Sequence, residues 1–239
     1  MTDNRKKTLL FDVDGTLTLP MKHIDQQIID KLTELKSKGY NLSVVGGSDY
    51  NKIESQLKGA LHLFDYICTE NGLVTYHQGE IIAQSLLDYI GDDHYQTLIN
   101  ILLRELSSIQ LPIKRDKFIE LRTACINVSP IGRSCSYEER EQFYQYDLKH
   151  NIRRKLIDNI IPDLNNYNLT AAIGGMISID IYPIGWDKTY CLKYFKDDIY
   201  FFGDKTEPGG NDYSIYVSDK VTGIHVDNPS HLLKLLHSF

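Results

Sequence analysis

The stretch TLLFDVDGTLTLP, residues 8–20, runs from an apolar segment into two aspartates one residue apart and then into Gly-Thr. Its first half is a short continuous apolar run of the kind buried on both faces of a parallel sheet, so a strand ending near Asp12 is expected. In an open α/β sheet the carboxyl ends of the strands border the ligand crevice. Asp12 would then point into that crevice, and Asp14, two residues on, can face the same space from the loop. Two carboxylates this close repel unless a cation or a shared proton relieves them. Taken alone, DVDGT also reads as an Asx turn joining strand to helix.

Working outward, Ile24, Ile28, Leu32 and Leu35 fall at helical spacing before Gly39, which predicts a helix and its stop. NLSVVGG (41–47) repeats the strand-then-glycine pattern, DYNKIESQL is a short helix, and FDYICTENG supplies a third strand before a turn. This βαβαβ order implies a parallel sheet with right-handed crossovers. From about Ile82 to Gly185 the pattern changes. A helix around 92–108, a strand pair in FIELRTACINVS, two polar helices, and strands in LTAAIGG and ISIDIYP read as an inserted α+β unit. The α/β alternation then resumes with WDKTYCLKYF as a helix, DIYFFGD and TGIHV as strands, and PSHLLKLLHSF as a closing helix. The expected plan is a discontinuous α/β core, 1–82 with 186–239, carrying an insert of residues 83–185.

Composition limits the function classes. With 42% hydrophobic and 24% charged residues over 239 positions, the chain reads as an ordinary soluble globule. A formal charge of −6 argues against a general nucleic-acid surface while leaving room for a local cationic pocket. No apolar run approaches the roughly 20 residues that span a bilayer, and the N-terminus lacks an apolar signal core, so the cytosol is expected and a membrane partner is not. Cys68, Cys125, Cys135 and Cys191 show neither a C-x-x-C pair nor metal-finger spacing, which predicts reduced thiols.

The aspartate pair suggests a chemistry. A bound Mg²⁺ would neutralise Asp12 and draw a phosphate to it; Asp12 could attack phosphorus while a protonated Asp14 serves the leaving oxygen. Gly15 admits the phosphate to the backbone, and Thr16 can hydrogen-bond a phosphoryl oxygen. VVGGSD places Ser48 at the second strand end, GWDK offers Lys188 to offset charge, and FFGDKTEPGGND puts Asp204 at another strand end with Asn211 and Asp212 behind it. A serine after glycine is usually a cap and a lysine beside an aspartate is usually a solvated pair. The order of all four pieces is what makes them specific.

In that order these pieces resemble the haloacid dehalogenase superfamily of phosphotransferases. FDVDGTLT, VVGGSD, ENGLVTY, NVSPIGRSCS, EER, GWDKTYCL and FFGDKTEPGGND together resemble the eukaryotic-type phosphomannomutases over nearly the whole chain. The resemblance implies a Rossmannoid core with a substrate-binding cap. It implies reversible conversion of mannose 6-phosphate to mannose 1-phosphate, primed by a hexose 1,6-bisphosphate and feeding GDP-mannose synthesis, in a homodimer formed through the cap. Residue by residue, Asp12 resembles the phosphorylated nucleophile and Asp14 the general acid/base, with Asp204, Asp12 and the Asp14 carbonyl resembling the Mg²⁺ ligands. Arg122, Arg133 and Arg140 resemble the cluster holding the phosphate that is not transferred, and Ser178 and Asp180 the groups meeting substrate beside it. Arginine forks bind phosphate bidentately and stay charged, so three of them in an acidic protein make a local anion trap. By itself Arg140 reads as a helix-surface charge, since SYEER is a capping box of Ser136 and Glu139.

Three departures stand out. Where the family often has an arginine after DGTLT-x-P, this chain has Met21 and then Lys22, which becomes the candidate core contact to substrate. Arg122-Thr123-Ala124-Cys125 stands where RNGM is usual, and Met176 where a glutamine is. These bear on sugar specificity more than on phosphotransfer. A sugar-phosphate phosphatase on the same fold is the rival reading, and a catalytically idle binding relative is a third.

Overall fold

A computed structural model of the chain describes residues 7–20 and 22–239. Its strands, in chain order, are β1 (Lys7–Phe11), β2 (Asn41–Val45), β3 (Tyr66–Thr69), β4 (Val74–His77), β5 (Glu80–Ala83), β6 (Ile119–Leu121), β7 (Ile126–Val128), β8 (Leu169–Gly174), β9 (Ser178–Pro183), β10 (Asp198–Gly203) and β11 (Val221–His225). The α-helices are α1 (Gln26–Ser37), α2 (Tyr50–Gln56), α3 (Leu86–Ile90), α4 (Asp92–Ser108), α5 (Tyr137–His150), α6 (Ile152–Asn165), α7 (Tyr213–Tyr216) and α8 (Pro229–Leu236). Contacts divide the chain into two compact units, one of Met1–Ala83 with Gly185–Phe239 and the other of Gln84–Ile184.

The first unit is built on a seven-stranded sheet in the order β11-β10-β1-β2-β3-β4-β5. The first five of these run parallel, while β4 and β5 are antiparallel. The parallel sheet read from the sequence is extended by a hairpin, closed by Gln78 and Gly79, both at positive φ, the geometry of a tight two-residue turn. Central β1 buries Leu9, Leu10 and Phe11 completely, as a strand covered on both faces must. Helix α1 is N-capped by the Asp25 side chain and buries Ile28, Leu32 and Leu35 in one cluster with Leu232 and Leu236 of α8. The chain moves from β1 through β2 to β3 on one side and returns through β10 on the other. The order thus reverses at β1, and the ends of β1 and β10 border the switch-point crevice.

One expected element differs. WDKTYCLKYF forms a 3-10 turn over Lys188–Tyr194 rather than an α-helix. The Asp187 side chain caps it at the Thr189 N–H, the Cys191 thiol donates back to the Lys188 carbonyl, and Phe195 is already extended. Gly72 lies against this turn so tightly that a Cβ there would come 2.7 Å from Cys191 Cβ.

The second unit is a four-stranded antiparallel sheet in the order β6-β7-β9-β8. Its core joins Leu98, Leu102 and Leu106 of α4 and Leu156, Ile157, Ile160 and Leu164 of α6 to Ile126, Val128, Ile179 and Ile181 of the sheet. Helix α5 begins at a capping box of Ser136 and Glu139 and ends at Asn151 in the left-handed region. Among the described residues no helix is long and apolar enough to cross a membrane.

Candidate active site

Asp12 follows β1 directly, and its N–H continues the ladder by donating to the Phe202 carbonyl of β10 at 2.9 Å. Asp204 follows β10, so the two carboxylates leave adjacent strands at the same end of the sheet. A third arrives through the loop after β10, which closes on itself: the Lys205 N–H donates to Asp212 Oδ2 at 3.1 Å, and the Asp212 N–H donates to the Lys205 carbonyl at 3.2 Å. Ligand oxygens of Asp12, Asp204 and Asp212 lie within 4.8 Å of one another.

One cation enters this group. The Lys188 ammonium, 1% exposed, donates to Asp12 Oδ1 and to Asp212 Oδ1 at 2.5 Å. Burial pulls Lys188 down, but the two carboxylates outweigh it and hold the ammonium above its usual range. Burial pushes Asp12 from 3.8 to about 7; Lys188 opposes the rise, and Asp212 and Asp204 add to it. Asp204 is also raised, by burial first, with Lys205 opposing and Asp212 adding. Three carboxylates and one ammonium leave negative charge uncompensated, a costly arrangement in a buried site. Asp12 Oδ2 and the Thr16 hydroxyl are buried without a hydrogen-bond partner. A set of carboxylate oxygens with one unpaired member fits a hard divalent cation.

Asp14 is held differently. The Gly15 N–H donates to the Thr18 carbonyl at 2.7 Å, and Gly15 sits at φ +94°, where a Cβ would overlap the Asp204 carboxylate. The Asp14 side chain turns to α2. Lys52 Nζ donates to Oδ2 at 2.5 Å and Gln56 Nε2 to Oδ1 at 2.7 Å. Lys52 also reaches the Ser48 hydroxyl at 3.0 Å. Lys22 is exposed; Met21 lies outside the described residues.

In the second unit the register aligns Glu120, Asn127 and Asp180 in one row across β6, β7 and β9. Asn127, buried and at the centre, donates to Asp180 Oδ1 at 2.5 Å and accepts from Arg133 Nη1 at 2.5 Å. Glu120 Oε2 takes Arg122 Nε at 3.1 Å and Arg133 Nε at 3.3 Å. Burial works against the Arg122 charge, but Asp180 and Glu120 raise it above its usual value. Arg140 is set apart from this row, with Nη2 donating to the Arg133 carbonyl at 2.8 Å. The Ser178 hydroxyl donates to the Gly174 carbonyl at 2.9 Å. Sequence reasoning missed Lys52, Gln56 and Asn127. The signal for the first two was their i, i+4 spacing behind Asp49, which puts them on one helix face; for Asn127 it was an amide in the middle of an apolar strand.

Solved structures define the fold. The chain matches an IMP-bound, N-terminally truncated IMP-nucleotidase of Plasmodium falciparum with a TM-score of 0.63 at 18% identity, over 99% of this chain and 68% of that one. It matches a haloacid dehalogenase-like hydrolase of Bacteroides thetaiotaomicron with a TM-score of 0.57 at 14% identity, over 89% of this chain and 85% of that one. The shared fold is an α/β core interrupted by a second unit, as in that haloacid dehalogenase-like hydrolase. The eukaryotic phosphomannomutase family model matches residues 28–239. A phosphomannomutase of Arabidopsis thaliana is 50% identical over 224 residues, covering 92% of this chain and 91% of that protein. The chain belongs to the eukaryotic phosphomannomutase family and is an enzyme of the phosphotransferase and isomerase type.

Proposed function

We propose that this enzyme interconverts mannose 6-phosphate and mannose 1-phosphate through a phosphoryl group carried on Asp12, and that a hexose 1,6-bisphosphate primes it. The observation that carries this reading is the buried, unpartnered Asp12 Oδ2 beside an ammonium that fixes the other oxygen. One oxygen is oriented and the other is available to attack. In the first transfer Asp12 Oδ2 bonds to phosphorus as the bond from phosphorus to the sugar oxygen breaks, and Asp14 supplies the proton that oxygen needs. In the return transfer the free hydroxyl of a hexose monophosphate gives its proton to Asp14 and bonds to phosphorus as the bond from phosphorus to Asp12 breaks, forming a bisphosphate whose other end can then donate to Asp12. Lys188, the Thr16 hydroxyl and the Ser48 hydroxyl stabilise the phosphoryl oxygens.

Asp12, Asp204 and Asp212 would hold Mg²⁺, with the Asp14 carbonyl as a further oxygen. The ion supplies charge neutralisation at the transferring phosphoryl group. Arg122 and Arg133, aligned by Glu120 and Asn127, take the phosphate that stays on the sugar, with Arg140 buttressing the Arg133 backbone. Ser178 and Asp180 meet the sugar hydroxyls, and Lys22 gives the substrate a cationic contact. We place the enzyme in the cytosol as a homodimer formed through the second unit, with its product supplying GDP-mannose synthesis.

The test is to supply mannose 1-phosphate with Mg²⁺, with and without glucose 1,6-bisphosphate, and to follow mannose 6-phosphate and inorganic phosphate together. Bisphosphate-dependent isomerisation with much slower phosphate release supports the reading. Inorganic phosphate as the main product, with or without bisphosphate, replaces it with a sugar-phosphate phosphatase. Glucose 1-phosphate run alongside ranks the two sugars.

A further inference from the structure

The steps above leave Lys52 and Gln56 unused, although these two side chains occupy both oxygens of Asp14. Lys52 Nζ is 2.5 Å from Oδ2 and Gln56 Nε2 is 2.7 Å from Oδ1. They stand one turn apart on α2, whose first turn is fixed by the Asp49 side chain accepting the Lys52 N–H at 3.0 Å. The same Gln56 amide donates to the Thr18 hydroxyl at 3.0 Å, tying α2 to the far side of the loop that carries Asp14. Lys52 is anchored a second time by the Ser48 hydroxyl. Lys188 serves Asp12, and α2 serves Asp14. The proton-transfer group is thus docked on one helix while the nucleophile is addressed by another element.

Resting on the mutase reading, we infer that Lys52 and Gln56 are positioning residues that dock Asp14 on α2 between transfers and so protect the phosphorylated Asp12 from water. The hazard is specific. If Asp14 stood free beside phosphorylated Asp12, a water oxygen could bond to phosphorus as the bond from phosphorus to Asp12 breaks. The water's proton would pass to Asp14, inorganic phosphate would leave and the Asp12 carboxylate would be restored. Two directional bonds to Asp14, one of them charge-assisted, oppose its turning toward such a water. A sugar hydroxyl differs from water in arriving on a molecule whose other phosphate is already bound, so remote binding energy can drive the exchange of Asp14's partners. Water brings no such energy. The docking pair therefore sets how much of the phosphoryl group goes to sugar and how much to water, without touching the group itself.

The experiment phosphorylates the full chain with ³²P-labelled glucose 1,6-bisphosphate, removes the sugar, and follows decay of the hydroxylamine-sensitive label in Lys52→Met, Lys52→Arg, Gln56→Met and the unaltered enzyme. Inorganic phosphate released per isomerisation turnover is measured in parallel. The expected result is a phosphoenzyme lifetime at least fivefold shorter in Lys52→Met, with a matching rise in phosphate release per turnover. Gln56→Met should lie between, and Lys52→Arg, which keeps the charged donor, within twofold of the unaltered enzyme. Lys52 is about one-third exposed, so its replacement leaves the core intact, and Gln56→Met carries the test if it does not. A lifetime in Lys52→Met that is unchanged or longer overturns the inference. If the unaltered enzyme takes no label or does not isomerise, the mutase reading fails first, and that result is seen before any variant is compared.

Discussion

Removing divalent cation should make the protein's stability depend on pH in a way that traces to Asp12. Without a metal, Asp12 is raised from 3.8 to about 7, chiefly by burial. The folded protein therefore keeps a proton through the range where the unfolded chain has already released it. The associated stability is complete below about pH 3.8 and is lost as pH rises through about 7. A rise of about three pKa units corresponds to at most about 4 kcal/mol of lost stability. A divalent ion competes with that proton, so its affinity should fall about tenfold for each pH unit below 7. Saturation at a hundred times Kd adds about 2.7 kcal/mol, which for a chain of this size is about 5–10 °C in Tm. The assay is differential scanning calorimetry at pH 5.5 and pH 8, in EDTA and in a fixed concentration of MgCl₂. The gain from Mg²⁺ should be about 5–10 °C at pH 8 and only about a third of that at pH 5.5, and Asp12→Asn should abolish the difference. An equal gain at both pH values in the unaltered protein, or a pH difference that survives Asp12→Asn, would refute the reasoning.

Other substitutions test other parts of the molecule. Asp12→Asn should end phosphotransfer while leaving the fold intact, because an amide fills the same volume without being a nucleophile; retention of hydroxylamine-sensitive label on that peptide would contradict it. Asp14→Asn should slow turnover by about 10² to 10⁴-fold, and near-normal rates would remove its role. Arg153→Ala should destabilise the second unit by about 3–5 kcal/mol, since it leaves the Asp147 carboxylate buried and unpaired and drops bonds to the Gly174, Gly175 and Ser178 carbonyls; a denaturation midpoint close to that of the unaltered protein would count against it. Gly15→Ala should cost activity more than stability, by pressing on the Asp204 carboxylate, and unchanged Mg²⁺ dependence of the rate would argue otherwise.

The parts legible in the sequence were those with strong local grammar. Apolar runs ending in Asp12 and Asp204 marked two strand ends because a buried parallel strand has to be apolar throughout, and the spacing of Ile28, Leu32 and Leu35 marked the face of α1. The hairpin of β4 and β5 was harder to see, because its strands have four residues each and β5 is exposed along its whole length, so no alternation of apolar and polar residues announces it. The Lys188–Tyr194 turn was read as a helix because its composition suits one, and only packing against Gly72 shows why it tightens. In the site, Asn127 and Glu120 meet Asp180 through strand register, a property of pairing that no single segment carries. The docking of Asp14 on Lys52 and Gln56 joins residues 38 and 42 positions apart, beyond the reach of any motif.

The pairing of β1 with β10 also has a consequence in time. Asp12 waits for a lysine 176 positions further along, and β1 meets its second neighbour only when residues 198–203 emerge. At a synthesis rate of about 5–20 residues per second, that interval is about 10–40 s. During it the nascent chain holds β1 with β2 already available on one side and an apolar edge open on the other, the arrangement most prone to pairing with a foreign strand. The span from Gln84 to Ile184, which closes its own core, is complete well before the sheet is. Premature termination anywhere before Phe202 would leave the nucleophile on an unfinished edge, with neither its ammonium partner correctly seated nor its companion carboxylates present.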